Sequence, residues 1–274
     1  MIEKKLKVAN ALIGSDPELF LYSQEKQKFV PVCGLIGGTK DKPIPVAEGF
    51  GLQEDNVMLE YTISPAKTRE EFLKNINFAK DYIRETILTP KGLIPKYQAS
   101  AEFDFDDLQT PAALMFGCSP DYNAWTLEQN EFVHHPNTLL RTSGMHIHIG
   151  YDNPDFDLNT DLVKAFDLFV TIPSLLLDPD TERRKVYGKA GAYRMKSYGV
   201  EARQLSGFFQ QDDAHIKWVY DNTIAAIDFV NIGGIITNPE QIIEAINTCN
   251  KDLALEIIED YKINVLDYAI AEGK

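Results

Sequence analysis

Apolar and polar residues alternate with a period of two along several short stretches of the chain, the spacing of a strand with one face turned to a core. The stretch 11–22, ALIGSDPELFLY, reads as a strand, as does 29–36; a Gly/Pro-rich connection follows over 37–45. The segment 57–64 alternates as a third strand, and 97–105, 144–151 and 198–208 extend the set. Helical spacing takes over in 68–88, where Phe72, Ile76, Ala79, Ile83 and Ile87 line one face and Thr68 with Glu71 offers a capping box. A second helix is predicted over 160–177 with a kink at Pro173, and a third over 213–231, stopped by Gly233 and Gly234. Asn238-Pro239 opens a further helix, and the segment 236–274 reads as helical to near its end. Strands and helices mixed without a regular β-α-β rhythm predict an α+β fold with a mainly antiparallel sheet. Without a linker or repeat to divide the chain, residues 1–274 are expected to form a single domain.

The polar faces of four of these strands carry an unusual selection. In GMHIHIG, Met145, Ile147 and Ile149 point to one side while His146 and His148 point together to the other. GSDPELFLY sends Asp16 and Glu18 one way and Leu19 and Leu21 the other. NVMLEYTIS sets Val57, Leu59, Tyr61 and Ile63 against Asn56, Met58, Glu60 and Thr62, and in GVEARQL Glu201 and Arg203 share a face. Half-exposed strands would also have polar faces, but Lys, Thr, Ser and Gln normally fill them. Here the inventory is almost wholly Asp, Glu, His and Arg, that of a metal and phosphate site. If the four faces converge, their carboxylates repel one another unless cations lie between them. Carboxylates in excess over imidazoles suit Mg²⁺ or Mn²⁺. A zinc hydrolase is the competing reading of H-x-H, although zinc needs neither a crowd of acids nor an arginine beside it.

Charge and cysteine content narrow the function classes. Against 27 Lys plus Arg stand 41 Asp plus Glu, and a net charge of -14 repels nucleic-acid backbones and anionic membranes. Cys33, Cys118 and Cys249 are odd in number and far apart, which predicts neither disulfides nor a cysteine-bound zinc, and suits a reducing cytoplasm. The first residues hold too short an apolar run for a signal peptide or membrane span. Four of the five histidines fall between positions 134 and 148, so imidazole is concentrated at the H-x-H strand.

These motifs resemble a known superfamily. GSDPELFLY looks like the G-x-E-x-E-F strand of glutamine synthetases and glutamate-cysteine ligases, with Asp16 in place of the first Glu. MLEYTISP, SGMHIHIG and VEARQLS are similar to that superfamily's L-E-F-x-x-P, G-M/L-H-x-H and L-E-x-R segments, in the same order. The fuller wording, with GLIGGTKDKPIPV, FGCSPDYNAWT and RRKVYGKAGAYR, most resembles phage-encoded COOH-NH2 ligases, over residues 14 to about 210. The resemblance implies a glutamine-synthetase-like catalytic domain, a curved, mainly antiparallel sheet with helices on its outer face. It implies ATP-dependent amide formation through an acyl phosphate, using two or more Mg²⁺ or Mn²⁺ ions, on small-molecule or peptide substrates bearing a carboxylate and an amine. Carried over by position, Asp16, His146 and Glu201 would hold one metal and Glu18 and Glu60 another, while Arg203 would stabilise the transferring phosphoryl; Arg203, Glu60 and Glu201 are thus the expected catalytic residues. Glutamine synthetases place another acid shortly before the residue matching Glu60; Glu54 is the nearest candidate and Asn56 a weaker one. His148 has no clear metal role in the superfamily and is expected to bond either substrate or a carboxylate that itself holds metal.

Several weaker signals remain. LIGGTKDKPIP lacks the spacing of a phosphate loop; a loop over the active site with Lys40 near an anion is expected, against a plain surface loop. In RRKVYGKAGAYR, Arg184, Lys189 and Arg194 are candidates for nucleotide or substrate phosphate, against a solvated basic run, and Arg141 for a substrate carboxylate. His134 and His135 read as surface residues, Cys118 as a buried thiol, and Tyr122 and Trp125 as pocket wall or core. A non-catalytic, ligase-like binding protein is the third reading.

Overall fold

The computed structural model describes residues 7–114, 121–131 and 133–266; Cys118 and the last part of the predicted C-terminal helical segment lie outside them. The strands are β1 (Leu12–Ser23), β2 (Lys28–Val30), β3 (Ile44–Ala47), β4 (Phe50–Asp55), β5 (Met58–Thr62), β6 (Leu93–Lys96), β7 (Ser100–Glu102), β8 (Tyr122–Asn123), β9 (Leu140–Thr142), β10 (Met145–Gly150), β11 (Ala192–Lys196) and β12 (Gly199–Ala202). The helices are α1 (Arg69–Tyr82), α2 (Pro111–Leu114), α3 (Phe156–Phe166), α4 (Ile172–Leu177), α5 (Arg183–Val186), α6 (Asp213–Asn231), α7 (Pro239–Thr248) and α8 (Lys251–Tyr261). The fold is α+β. An open ten-stranded sheet runs in the order β3-β4-β5-β1-β10-β12-β11-β8, with β2 and β6 also pairing with β1, while β7 and β9 form a separate pair. The ladders are antiparallel.

The long strand β1 is the axis of this sheet, because its residues meet β10 on one side and β5 on the other. Its alternation divides the molecule into two layers. Ile13, Leu19 and Leu21 of β1, Leu59 and Tyr61 of β5, Ile147 and Ile149 of β10, and Val200 and Ala202 of β12 join one core with Phe72 and Ile76 of α1 and Trp218 and Val219 of α6. The helices therefore cover the apolar face, while the opposite face carries the polar residues and, around Phe20 and Met58, a smaller apolar cluster with Phe103 and Leu108.

The first two of the three long predicted helices do not run as regular α-helices from end to end. The first starts as expected, with Thr68 Oγ1 accepting from the Glu71 N–H, but Glu71 reaches back to the N–H of Lys67. It then widens into a π turn over Ile83–Leu88 and ends at Gly92, whose φ of 65° suits glycine. The second begins earlier than predicted, at Phe156 behind the cap Asp155, and breaks into α3, a π turn over Asp167–Thr171, and α4. Pro173 cannot donate to the carbonyl of Phe169. The Asn222 side-chain amide of α6 donates to that carbonyl instead, at 2.8 Å.

Other expectations are corrected in extent. The strand predicted over 198–208 ends at Ala202 and gives way to a 3-10 turn over Gly207–Gln210, while 29–36 and 97–105 shrink to β2 and β7. Strands β3, β4, β6, β8, β9 and β11 form where no strand was expected. From residue 236 onward the chain forms α7 and α8, whose Ile242, Ile246 and Ile257 pack on Leu168, Ile172 and Leu175.

Candidate active site

The strand registers bring the distant acids and imidazoles side by side. Asp16 lies opposite His146, Glu18 opposite Glu60, and His148 opposite Glu201. Because β5, β1, β10 and β12 are consecutive in the sheet, Glu60, Glu18, Asp16, His146, Glu201 and Arg203 gather on the face away from the helices. This is not a solvated sheet face. Glu18 is 5 % exposed, Glu60 8 %, His146 3 %, and Glu201 and Arg203 1 % each. Burying that many ionisable groups costs free energy unless they are paired with one another or with ligands.

Two groups form. In the first, ligand atoms of Asp16, His146 and Glu201 all lie within 4.8 Å of one another. His146 Nδ1 is 3.4 Å from Asp16 Oδ1 and 3.7 Å from Glu201 Oε1. His148 Nε2 approaches the same Asp16 oxygen at 3.1 Å, and its Nδ1 meets the Tyr198 hydroxyl at 2.5 Å. Around Glu201 stand the Arg203 guanidinium in direct contact, Lys196 Nζ at 2.6 Å and Arg194 Nη1 at 3.7 Å. Arg203 is fixed from two further sides, by Asp121 Oδ2 at 3.4 Å and by the Tyr187 ring, whose centroid is 5.3 Å from the guanidinium carbon. Burial pushes the Asp16 carboxyl upward, but His148 and His146 outweigh it and hold it well below its ordinary value. Burial and then the Arg203 charge lower His146, leaving a neutral imidazole with a lone pair to give; burial also lowers His148, but Asp16 overcomes it and raises that ring.

The second group is purely acidic. Ligand atoms of Glu18, Asp55 and Glu60 lie within 4.8 Å of one another. The Gly144 N–H donates to Glu18 Oε2 at 2.6 Å and the Gln53 side-chain amide to Glu60 Oε2 at 2.8 Å. These two donors do not offset burial. Desolvation and then the nearby Asp55 push Glu18 up to about 8, and desolvation with Asp16, Glu18 and Asp55 raises Glu60 well above its ordinary value. Like charges directly opposite in an antiparallel pair destabilise it. A set of hard oxygen donors driven toward protonation suits a divalent cation, and the mixed oxygen and imidazole set of the first group suits one as well.

The grouping of Asp16, His146 and Glu201, and of Glu18 with Glu60, is the one the family resemblance implies, with Asp55 added. Glu54 is not the neighbouring acid: β4 pairs Gln53 with Glu60, so Gln53 and Asp55 share the site face and Glu54 points away. Its carboxylate accepts from the N–H groups of Gly34, Ile36 and Gly37. Arg141 is corrected likewise. It is buried, and its guanidinium donates to the carbonyls of Ala113, Thr138 and Leu140, so it ties chain segments together. Arg184 donates to the Gly188 carbonyl and Ser174 Oγ inside the protein, and Lys189 points to the Asn247 carbonyl of α7; neither joins the acid groups. Lys40 sits exposed in the turn between Thr39 and Lys42. Arg194 is brought to the site, opposite Glu201. His134 is exposed, but His135 is buried against Glu182 at 3.1 Å. Trp125 donates to the buried Asp167 at 2.7 Å and packs in the core.

Sequence reasoning missed Asp55, Asp121, Tyr187, Lys196 and Tyr198. Only Lys196 had a usable signal, since it shares a strand face with Arg194 two positions earlier. No helix among the described residues is long and apolar enough to cross a membrane. No curated protein matches the chain. Residues 140–265, which carry His146, Arg194, Glu201 and Arg203, match the family described as phage phiEco32-like COOH.NH2 ligase-type 2, so this stretch is similar to those carboxylate-amine ligases.

Proposed function

We propose that the protein is an ATP-dependent carboxylate-amine ligase that works through an acyl phosphate in a glutamine-synthetase-like catalytic domain. The observation that carries this reading is the juxtaposition, on one buried sheet face, of an acid trio forced toward protonation and a centre rich in guanidinium and ammonium groups. Divalent ions, Mg²⁺ or Mn²⁺, held by Glu18, Asp55 and Glu60 and by Asp16, His146 and Glu201, would supply charge neutralisation for nucleotide phosphates and the substrate carboxylate. The residues of the chain itself do the rest. Arg203, oriented by Glu201, Asp121 and the Tyr187 ring, faces the transferring phosphoryl group, where a preorganised cation counts most. Arg194 and Lys196 add positive charge beside it. In the first half-reaction a carboxylate oxygen attacks the γ-phosphorus and ADP leaves; in the second an amine nitrogen attacks the acyl carbon, phosphate leaves and the nitrogen loses a proton. The crowd of cations around Glu201 has no use in a zinc hydrolase, which disfavours that alternative. A cytoplasmic setting and a phage origin belong to the same reading.

Incubation with ATP, Mn²⁺ and pooled amino acids or peptides is expected to release ADP only when both a carboxylate and an amine are supplied, with the amide product seen by mass spectrometry. Turnover without nucleotide, or failure to bind nucleotide in the presence of metal, would overturn the proposal.

A further inference from the structure

We propose that Glu54 is a positioning residue: by clasping the glycine-rich loop against the tip of the β4–β5 hairpin, it holds Asp55 in the acid trio. This rests on the reading of that trio as a cation site. Glu54 Oε1 accepts from the N–H groups of Ile36 at 2.9 Å and Gly37 at 2.7 Å, and Oε2 accepts from Gly34 at 2.8 Å. Gly34 and Gly37 both have φ of 75°, a conformation that side chains resist, which lets successive N–H groups turn toward one carboxylate. The loop grips the hairpin elsewhere too. The Val32 N–H donates to the Val57 carbonyl at 3.0 Å, the Cys33 thiol to the Asn56 carbonyl at 2.8 Å, and the Glu54 N–H to the Gly38 carbonyl at 3.3 Å.

Strand parity makes this grip matter to the site. Glu54 and Asp55 are adjacent, so fixing one on the outer face fixes the other on the inner face. A slip of one residue in this short ladder would exchange them and place Glu54 beside Glu60. With its carboxylate bound to three N–H groups, Glu54 resists that exchange. The loop that looked like a candidate lid is thus a register lock, and its partner is a side chain of the same protein.

The test is Mn²⁺ titration of the metal-free full chain, followed by the paramagnetic resonance signal of free Mn²⁺, without nucleotide or turnover. Asp55→Asn should weaken binding at least about tenfold, and Glu54→Ala should weaken it by about tenfold or more, as loss of a support behind a metal ligand does. Glu54→Gln should fall between, because its remaining carbonyl oxygen can still accept from Ile36 and Gly37; this milder variant decides the matter if the alanine protein does not fold. If Asp55→Asn weakens binding while both Glu54 variants bind like the parent, even with a lower melting temperature, Glu54 is only a loop fastener and the inference is overturned. Parent-like binding by Asp55→Asn would instead remove the cation site, and the inference with it.

Discussion

Raising the pH should weaken the metal-free protein, and a divalent cation should reverse the loss. The perturbed group is Glu18, carried from its ordinary value of 4.5 to about 8 by burial and by Asp55. In the unfolded chain this carboxyl ionises near 4.5, whereas the folded protein keeps the proton until about 8. Its contribution to stability is therefore full below 4.5 and is lost as pH rises through about 8. At about 1.4 kcal/mol per tenfold change in proton affinity, the whole displacement is worth at most about 5 kcal/mol, less whatever solvent entry relieves. Glu60 shifts in the same direction and adds to the effect. A cation that replaces the proton should restore stability most where the proton has left: at a hundred times its dissociation constant it adds about 2.7 kcal/mol. For a chain of this size that is a rise of about 5 °C in melting temperature. Calorimetric or fluorescence melts in chelator and in Mn²⁺, at about pH 5.5 and about pH 8, supply the four values needed. The chelator curve should fall with pH and the Mn²⁺ increment should grow; Glu18→Gln should flatten the first and abolish most of the second. A metal-free protein whose melting temperature is level across this range, with an equal metal increment at both ends, would refute the reasoning.

Three further outcomes follow from the described contacts. Arg203→Lys should keep a positive charge but lose the planar fork held by Glu201 and Asp121, cutting turnover by about 10²-fold or more while Mn²⁺ affinity, read by titration, changes little. Asp167, fully buried and raised by desolvation to about 7, contributes stability that is full below its ordinary 3.8 and is lost as pH rises through about 7; Asp167→Asn, whose amide oxygen can still accept from Trp125 and Gly191, should be about 1–3 kcal/mol more stable than the parent at pH 8 and converge with it near pH 4, in denaturant melts. Asn222→Leu should cost about 1–3 kcal/mol by the same measurement, because the Phe169 carbonyl freed by Pro173 is then buried without its donor.

The layer of Asp16, Glu18, Glu60, His146, Glu201 and Arg203 was legible in the sequence because strand alternation alone assigns faces, and each motif has enough flanking apolar residues to fix its parity. Asp55 was not, since the strand containing it has no clear alternation; only its pairing with β5 shows that Gln53, and hence Asp55, faces Glu60. The basic residues divided for a different reason. A guanidinium that meets a carboxylate, as in Arg203 and Arg194, and one that meets carbonyls, as in Arg141 and Arg184, have the same appearance in a sequence, and only packing distinguishes them. The break in the long helix was legible at Pro173 but its form was not, because the donor that meets the Phe169 carbonyl, Asn222, comes from a distant helix.

Asp16 and Glu18 belong to different groups yet stand two residues apart on one strand. Extended backbone advances about 3.3 Å per residue, so the two centres are spaced by about 7 Å along a rigid rod. Loops elsewhere can lengthen, shorten or change composition without altering that interval. An inserted or deleted residue between positions 16 and 18, by contrast, would turn one acid into the apolar core, so evolution can retune what surrounds the pair far more freely than the distance between its members.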